Sequence, residues 1–249
     1  MPALAILRSK SVVNTSKTKR YTLQVTAYHE AGHAVVGWRY RAAIGVNGVW
    51  VNPRKPTEGG CHHPPMRNPI DADGIFQLAQ ERGDPRIWSD YRMQIENAIE
   101  GQLAGGMAEK RFRGLRGFLL PIRNETDRAS WMEALRCGRC AELLISSGDT
   151  DRAMLYLAYL KAAEHGREYP TPDDMPSVLV LLPYQEAVAR FLRRPEVWRA
   201  VQRLARELVR HGRVSAEKAE RIISATGVRQ MSLNRCFGRA IRQTNKTDE

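Results

Sequence analysis

The chain has 249 residues, 43 % of them hydrophobic and 27 % charged, a balance that builds one medium-sized folded domain and excludes a fibrous or wholly disordered chain. Its net charge of +12 comes from 39 basic and 27 acidic side chains. No apolar run approaches the roughly 18 residues that cross a bilayer, and the apolar start Met1–Leu7 lacks a preceding positive charge, so a cytoplasmic protein without membrane contact is expected.

Residues 1–20 hold five basic groups and no acid, which sets off a basic N-terminal arm over 1–23. A helix is expected next, through Ala27-Tyr28-His29-Glu30-Ala31-Gly32-His33-Ala34-Val35-Val36. Four residues apart on a helix, His29 and His33 project from one face and can reach one metal ion. Glu30 lies beside them, where a carboxylate can take a proton from a metal-activated water. The small and apolar neighbours predict a buried helix, in which a charged Glu30 is costly without a partner such as a metal. Two histidines leave zinc underligated, so a third protein ligand is required.

An irregular proline-rich loop is expected over Pro53–Asp73 and could rim a cleft. Cys61-His62-His63 is a further cluster of possible ligands, but surface or packing roles are expected for all four cysteines, as reduced thiols. Ile87–Phe112 carries Ile95, Ile99, Leu103 and Met107 at helical spacing, and Trp131–Ile145 reads as one helix that encloses Cys137 and Cys140. Two copies of Thr-Asp-Arg-Ala follow Glu125 and Asp149. Either can open a helix, and an aspartate there serves ordinarily as a cap. Further helices are expected over Asp149–Glu164 and Pro195–His211, with a proline-rich linker at Glu168–Pro176. Residues 227–249 form a basic tail, leaving 24–226 as the folded domain.

The text AYHEAGHAVVG resembles the zinc peptidase domain of FtsH-type ATP-dependent membrane proteases. The likeness continues in order through Gly45–Pro53, Thr57–Cys61, the Gly-Gly helix text Ala104-Gly105-Gly106-Met107-Ala108-Glu109, and the closing segment Leu208–Glu217. It spans roughly 24 to 226, and only its first motif is specific alone. The resemblance implies a mainly α fold, an FtsH-like helical peptidase domain with a small β-hairpin beside the His-Glu-x-x-His helix. It implies a Zn2+ cofactor held by His29, His33 and an aspartate that opens a later helix, with Glu30 as catalytic base. Ser147-Gly148-Asp149 matches that aspartate segment best, with Asp127, Glu125 and Asp151 as rivals; choosing Asp149 requires an inserted helix ahead of it. Glu109 is a candidate to orient a ligand imidazole.

No ATPase loop of the Gly-x-x-x-x-Gly-Lys type occurs, so a peptidase that stands alone is expected, acting on protein or peptide substrates with a separate unfoldase or oligomeric partner possible. The segment between Val46 and Val51 offers a strand edge for an extended peptide. The alternative is a catalytically inactive zinc-fold protein that serves as a regulatory or nucleic-acid-binding module through its basic ends.

Overall fold

The computed structural model describes residues 15–42, 44–61, 85–119, 125–139, 143 and 148–231. Helix α1 (Thr15–Arg39) is its axis. The helix reaches back into the stretch read from sequence as the basic arm, and its first turns are exposed. Its second half is buried, with Ala27, Ala31, Ala34, Val35 and Val36 all in the core. These residues are small enough for neighbours to approach closely.

The closest neighbour is α2 (Pro85–Phe112), which crosses α1 at Gly32. A Cβ on Gly32 would stand 2.7 Å from the Ala104 carbonyl oxygen and 2.6 Å from the Ala108 Cβ. The two helices therefore touch backbone to backbone, and this contact sets what faces the histidines. Ile95, Ile99 and Leu103 of α2 fill the adjoining core.

Strand β1 (Val49–Val51) pairs antiparallel with β2 (Gly59–Cys61), with Val49 opposite Cys61 and Val51 opposite Gly59. The expected hairpin is thus present, and it lies against α1. A third strand, β3 (Arg213–Val214), joins the other side of β1 and gives the order β2-β1-β3. The expected peptide-binding edge between Val46 and Val51 is corrected by this order. β1 is the central strand, and the short C-terminal strand occupies the side that the hairpin alone would have left open.

Helix α3 (Glu125–Arg136) ends earlier than the sequence pattern suggested. Gly138 takes the left-handed conformation and Arg139 N–H closes back on the Ala134 carbonyl at 2.8 Å, a C-terminal stop that a glycine supplies. Trp131–Ile145 is therefore not one helix, and Cys137 is exposed just past its end. Cys140, His62, His63 and most of the proline-rich loop lie outside the described residues.

Helix α4 (Asp149–Glu164) starts and stops where its pattern predicted, and is buried on two sides. Ala153, Met154, Leu157 and Leu160 face the main core. Leu155 and Tyr159 pack instead with Trp131, Ala134, Leu135 and Leu143, so the segment before α4 has a small core of its own on the back of that helix. The linker Glu168–Pro176 contains a 3-10 turn at Pro172–Asp174, whose fully buried Asp174 accepts from Arg167 at 2.6 Å and from Thr171 N–H at 2.8 Å.

A second 3-10 turn (Val178–Leu181) leads into α5 (Leu182–Leu192), followed by α6 (Pro195–His211) and α7 (Ala216–Ser224). α6 buries Val197, Ala200, Val201, Leu204, Ala205 and Leu208, and it packs against α1. Each fully buried Val or Leu contributes about 1.5–3 kcal/mol, so this stripe is a main anchor of α1. Past α7, Val228 is buried and Met231 N–H donates to the Arg39 carbonyl at 2.9 Å, closing over the end of α1. The fold is mainly helical, as expected, with a small three-stranded sheet. Among the described residues no helix is long and apolar enough to cross a membrane.

Candidate metal centre

One turn apart on α1, His29 and His33 point toward the first residue of α4. The Asp149 Oδ2 lies 2.9 Å from His29 Nε2 and 3.1 Å from His33 Nε2, and the two Nε2 atoms are 3.1 Å apart. Among the described residues this is the one group of three such side chains close enough to share a cation. Asp151, two residues further along α4, is not part of it. Asp127 and Glu125 sit in the first turn of α3, and their side chains lie outside the described residues.

Asp149 follows Gly148, the N-cap of α4, so its carboxylate stands at the positive end of that helix dipole. No side chain caps this helix start. The Asp149 Oδ2 is thus turned to the histidines, while Oδ1 lies 3.9 Å from Arg152 one turn along the same helix.

Both imidazoles are held from behind. His33 Nδ1–H donates to the Gly101 carbonyl at 2.8 Å, which turns Nε2 toward Asp149. His29 Nδ1 faces the Glu109 Oε2 at 3.5 Å, and Glu109 in turn accepts from Arg113 at 2.8 Å. Bonds to His29 and Arg113 hold the Glu109 carboxyl below its ordinary range, as an anion. The structure thus brings Glu109 to the His29 ring nitrogen that faces away from Asp149.

The floor of the site is Gly105. A Cβ there would stand 2.3 Å from His33 Nε2 and 2.6 Å from His29 Nε2, so only glycine leaves the paired nitrogens room. Sequence reasoning named Gly105 as part of a family text but missed this role, and missed Gly101 altogether. A signal was there: Gly101, Gly105 and Gly106 stand inside a 28-residue helix, where each glycine costs up to about 1 kcal/mol against alanine and asks for a reason.

Glu30 is buried, 7 % exposed, beneath β2. A Cβ on Gly59 would meet its Cγ at 2.8 Å and its Oε1 at 2.9 Å, so the glycine-marked strand lies directly on this carboxylate. Burial raises the Glu30 pKa, partly opposed by the two histidines and by a bond from the Cys61 N–H. The Cys61 thiol beside it is pushed well up by burial and by Glu30, which makes it a neutral packing group rather than a thiolate ligand.

Charges at the centre are mutually reinforcing. Burial alone would lower the His29 pKa, but bonds to Asp149 and Glu109 outweigh it and push the value up to about 10. Burial alone would raise the Asp149 pKa, but the two imidazoles outweigh it and hold the carboxyl well below the usual range. The two carboxylates on either side of His29 thus favour its protonated form. Comparison of the chain with protein-family models, with curated proteins and with solved structures finds no match.

Proposed function

We propose that the chain is a zinc-dependent endopeptidase of the FtsH-type plan, acting on unfolded or flexible protein segments. The observation that carries this reading is the convergence of His29, His33 and Asp149 from two helices far apart in sequence, with the buried Glu30 carboxylate close enough to feel the charge of all three. Two imidazoles and one carboxylate are a donor set that zinc takes in catalytic sites with an open fourth position. Ligands on a tetrahedral zinc stand roughly 3.3 Å apart, given bonds of about 2.0–2.1 Å. The mutual distances of 2.9–3.1 Å need to widen by only a few tenths of an ångström.

His29, His33 and Asp149 would hold the ion. When bound, zinc would supply Lewis acidity, polarising the scissile carbonyl and acidifying a water. Glu30 takes the proton of the attacking water and passes it to the leaving amine; its burial raises its pKa toward the range suited to that exchange. Glu109 and the Gly101 carbonyl keep the two imidazoles turned inward. In this reading an extended substrate pairs with the outer edge of β2, the edge strand that covers Glu30, and not with β1. Recognition through backbone pairing reads little sequence and requires an unfolded segment.

The test is turnover of unfolded casein by the purified chain. Cleavage that stops with a chelator and returns with zinc is the expected result. No cleavage at any metal loading would leave a zinc-fold protein without peptidase activity and defeat the proposal.

The third ligand has its own test. Asp149→Asn should weaken zinc binding by roughly 10-fold or more, since the site loses the anion that offsets the ion's charge, while Asp127→Asn should leave it near the parent value. Competition against a zinc-chelating dye reads both. The opposite pattern would move the ligand to the start of α3.

A further inference from the structure

A row of arginines runs along α6 on the side turned away from the core. Arg199, Arg203, Arg206 and Arg210 are all exposed. At 3.6 residues per turn their spacing confines them to an arc of roughly 60°, and at 1.5 Å per residue the row is roughly 16 Å long. The buried stripe from Val197 to Leu208 on the opposite side fixes this orientation.

The charge of the row is only partly offset, by Glu196 near Arg199 and Glu207 near Arg210. Among the described residues none of the four arginines forms an ion pair. Those two acids make their direct contacts elsewhere: Glu196 accepts from Arg194 at 2.7 Å, and Glu207 is paired with Lys218. Residues 190–221 hold ten basic and four acidic side chains, whereas 21–226 as a whole hold 29 and 25. Outside this segment the central region carries more acid than base, so its positive charge is gathered on α6 and its flanks.

We propose that the outer face of α6 binds the phosphate backbone of a nucleic-acid duplex without reading its bases. Guanidinium groups match phosphate oxygens as two-pronged donors, and a row of roughly 16 Å runs past about five phosphates of one strand at 3.4 Å per step. The surroundings of the row favour this partner over others. Insertion into a membrane surface needs bulky apolar side chains exposed beside the basic ones. The large hydrophobic residues exposed among the described ones are Tyr21, Val46, Leu115, Phe118, Tyr169, Leu179 and Val180, and none lies on α6 or α7. A single strand would need aromatic faces for its bases. The one aromatic of α6, Trp198, already has Arg111 over its ring at 4.4 Å and Tyr28 at 5.6 Å.

Fluorescence anisotropy with a labelled DNA duplex of about 20 base pairs in roughly 50 mM salt tests the proposal on the full chain. Binding should weaken with salt at a log–log slope of roughly −3.6 or steeper, from four contacts at about −0.9 each. The quadruple variant Arg199→Gln, Arg203→Gln, Arg206→Gln, Arg210→Gln should bind at least about 100-fold more weakly, and the corresponding all-lysine variant should stay within about tenfold of the parent. These side chains are exposed, so thermal melting should show both variants folded. The Glu30→Gln protein is expected to bind DNA as the parent does, so a failed peptidase assay leaves this test standing. Absence of duplex binding by the parent, undiminished binding by the glutamine variant, or binding to phosphatidylserine-containing vesicles in place of the duplex would each overturn it.

Discussion

Glu30→Gln should keep zinc at the parent level and lower casein hydrolysis by roughly 10²–10⁴-fold, the usual contribution of a positioned general base. The amide has the shape of the carboxylate but cannot accept the water's proton. The fold should tolerate the change, because the carboxylate is buried under β2 and its desolvation is a cost that the neutral amide avoids. The loss should appear in kcat, with KM little changed, since a peptide paired on β2 does not depend on this side chain for binding. Parallel metal analysis and initial-rate measurement check the result. Hydrolysis at the parent rate would remove Glu30 from the reaction.

Gly105→Ala should lower zinc affinity by at least about 100-fold while leaving the helix intact or slightly firmer, because alanine favours a helix interior by up to about 1 kcal/mol over glycine. The added methyl would stand 2.3 Å from His33 Nε2 and 2.6 Å from His29 Nε2, so one ring or α2 itself must move. A ligand displaced by even a fraction of an ångström from its short bond to zinc loses most of its hold. Gly101→Ala is the matched control: nothing lies within 4 Å of its would-be Cβ, and its carbonyl still reaches His33. Zinc titration and circular dichroism on the two variants separate a local steric effect from general unfolding. Equal zinc affinity in both would mean that the histidines do not meet over Gly105.

How much was legible in the sequence varies with the kind of constraint. Pro195–His211 was readable because a strong apolar period, a proline at its first turn and a glycine just past its end coincide, and Asp149–Glu164 because acids open it and Gly166 follows its end. The spacing of His29 and His33 gave half of the centre, since a helix fixes what stands four residues away. The third member had to come from elsewhere in the chain. Two Thr-Asp-Arg-Ala copies are locally alike, and only the packing of α4 across α2 brings Asp149 to the histidines. The end of α3 was misread because Gly138 interrupts an otherwise helical pattern, and one glycine is locally ambiguous between a tolerated interior residue and a C-terminal stop. The edge at Val46–Val51 was misplaced because β3 has two residues, too few to leave a period in the sequence. The arginine row on α6 was visible as spacing, but only the burial of the opposite stripe and the partners of Glu196 and Glu207 show it as a free charged surface.

Zinc content decides the matter most directly. Elemental analysis of the chain purified without chelators, beside His33→Ala prepared in the same way, should find about one zinc per chain in the parent and none above background in the variant. No zinc in the parent after incubation with the ion, or equal zinc in both proteins, would contradict a centre built on His29, His33 and Asp149.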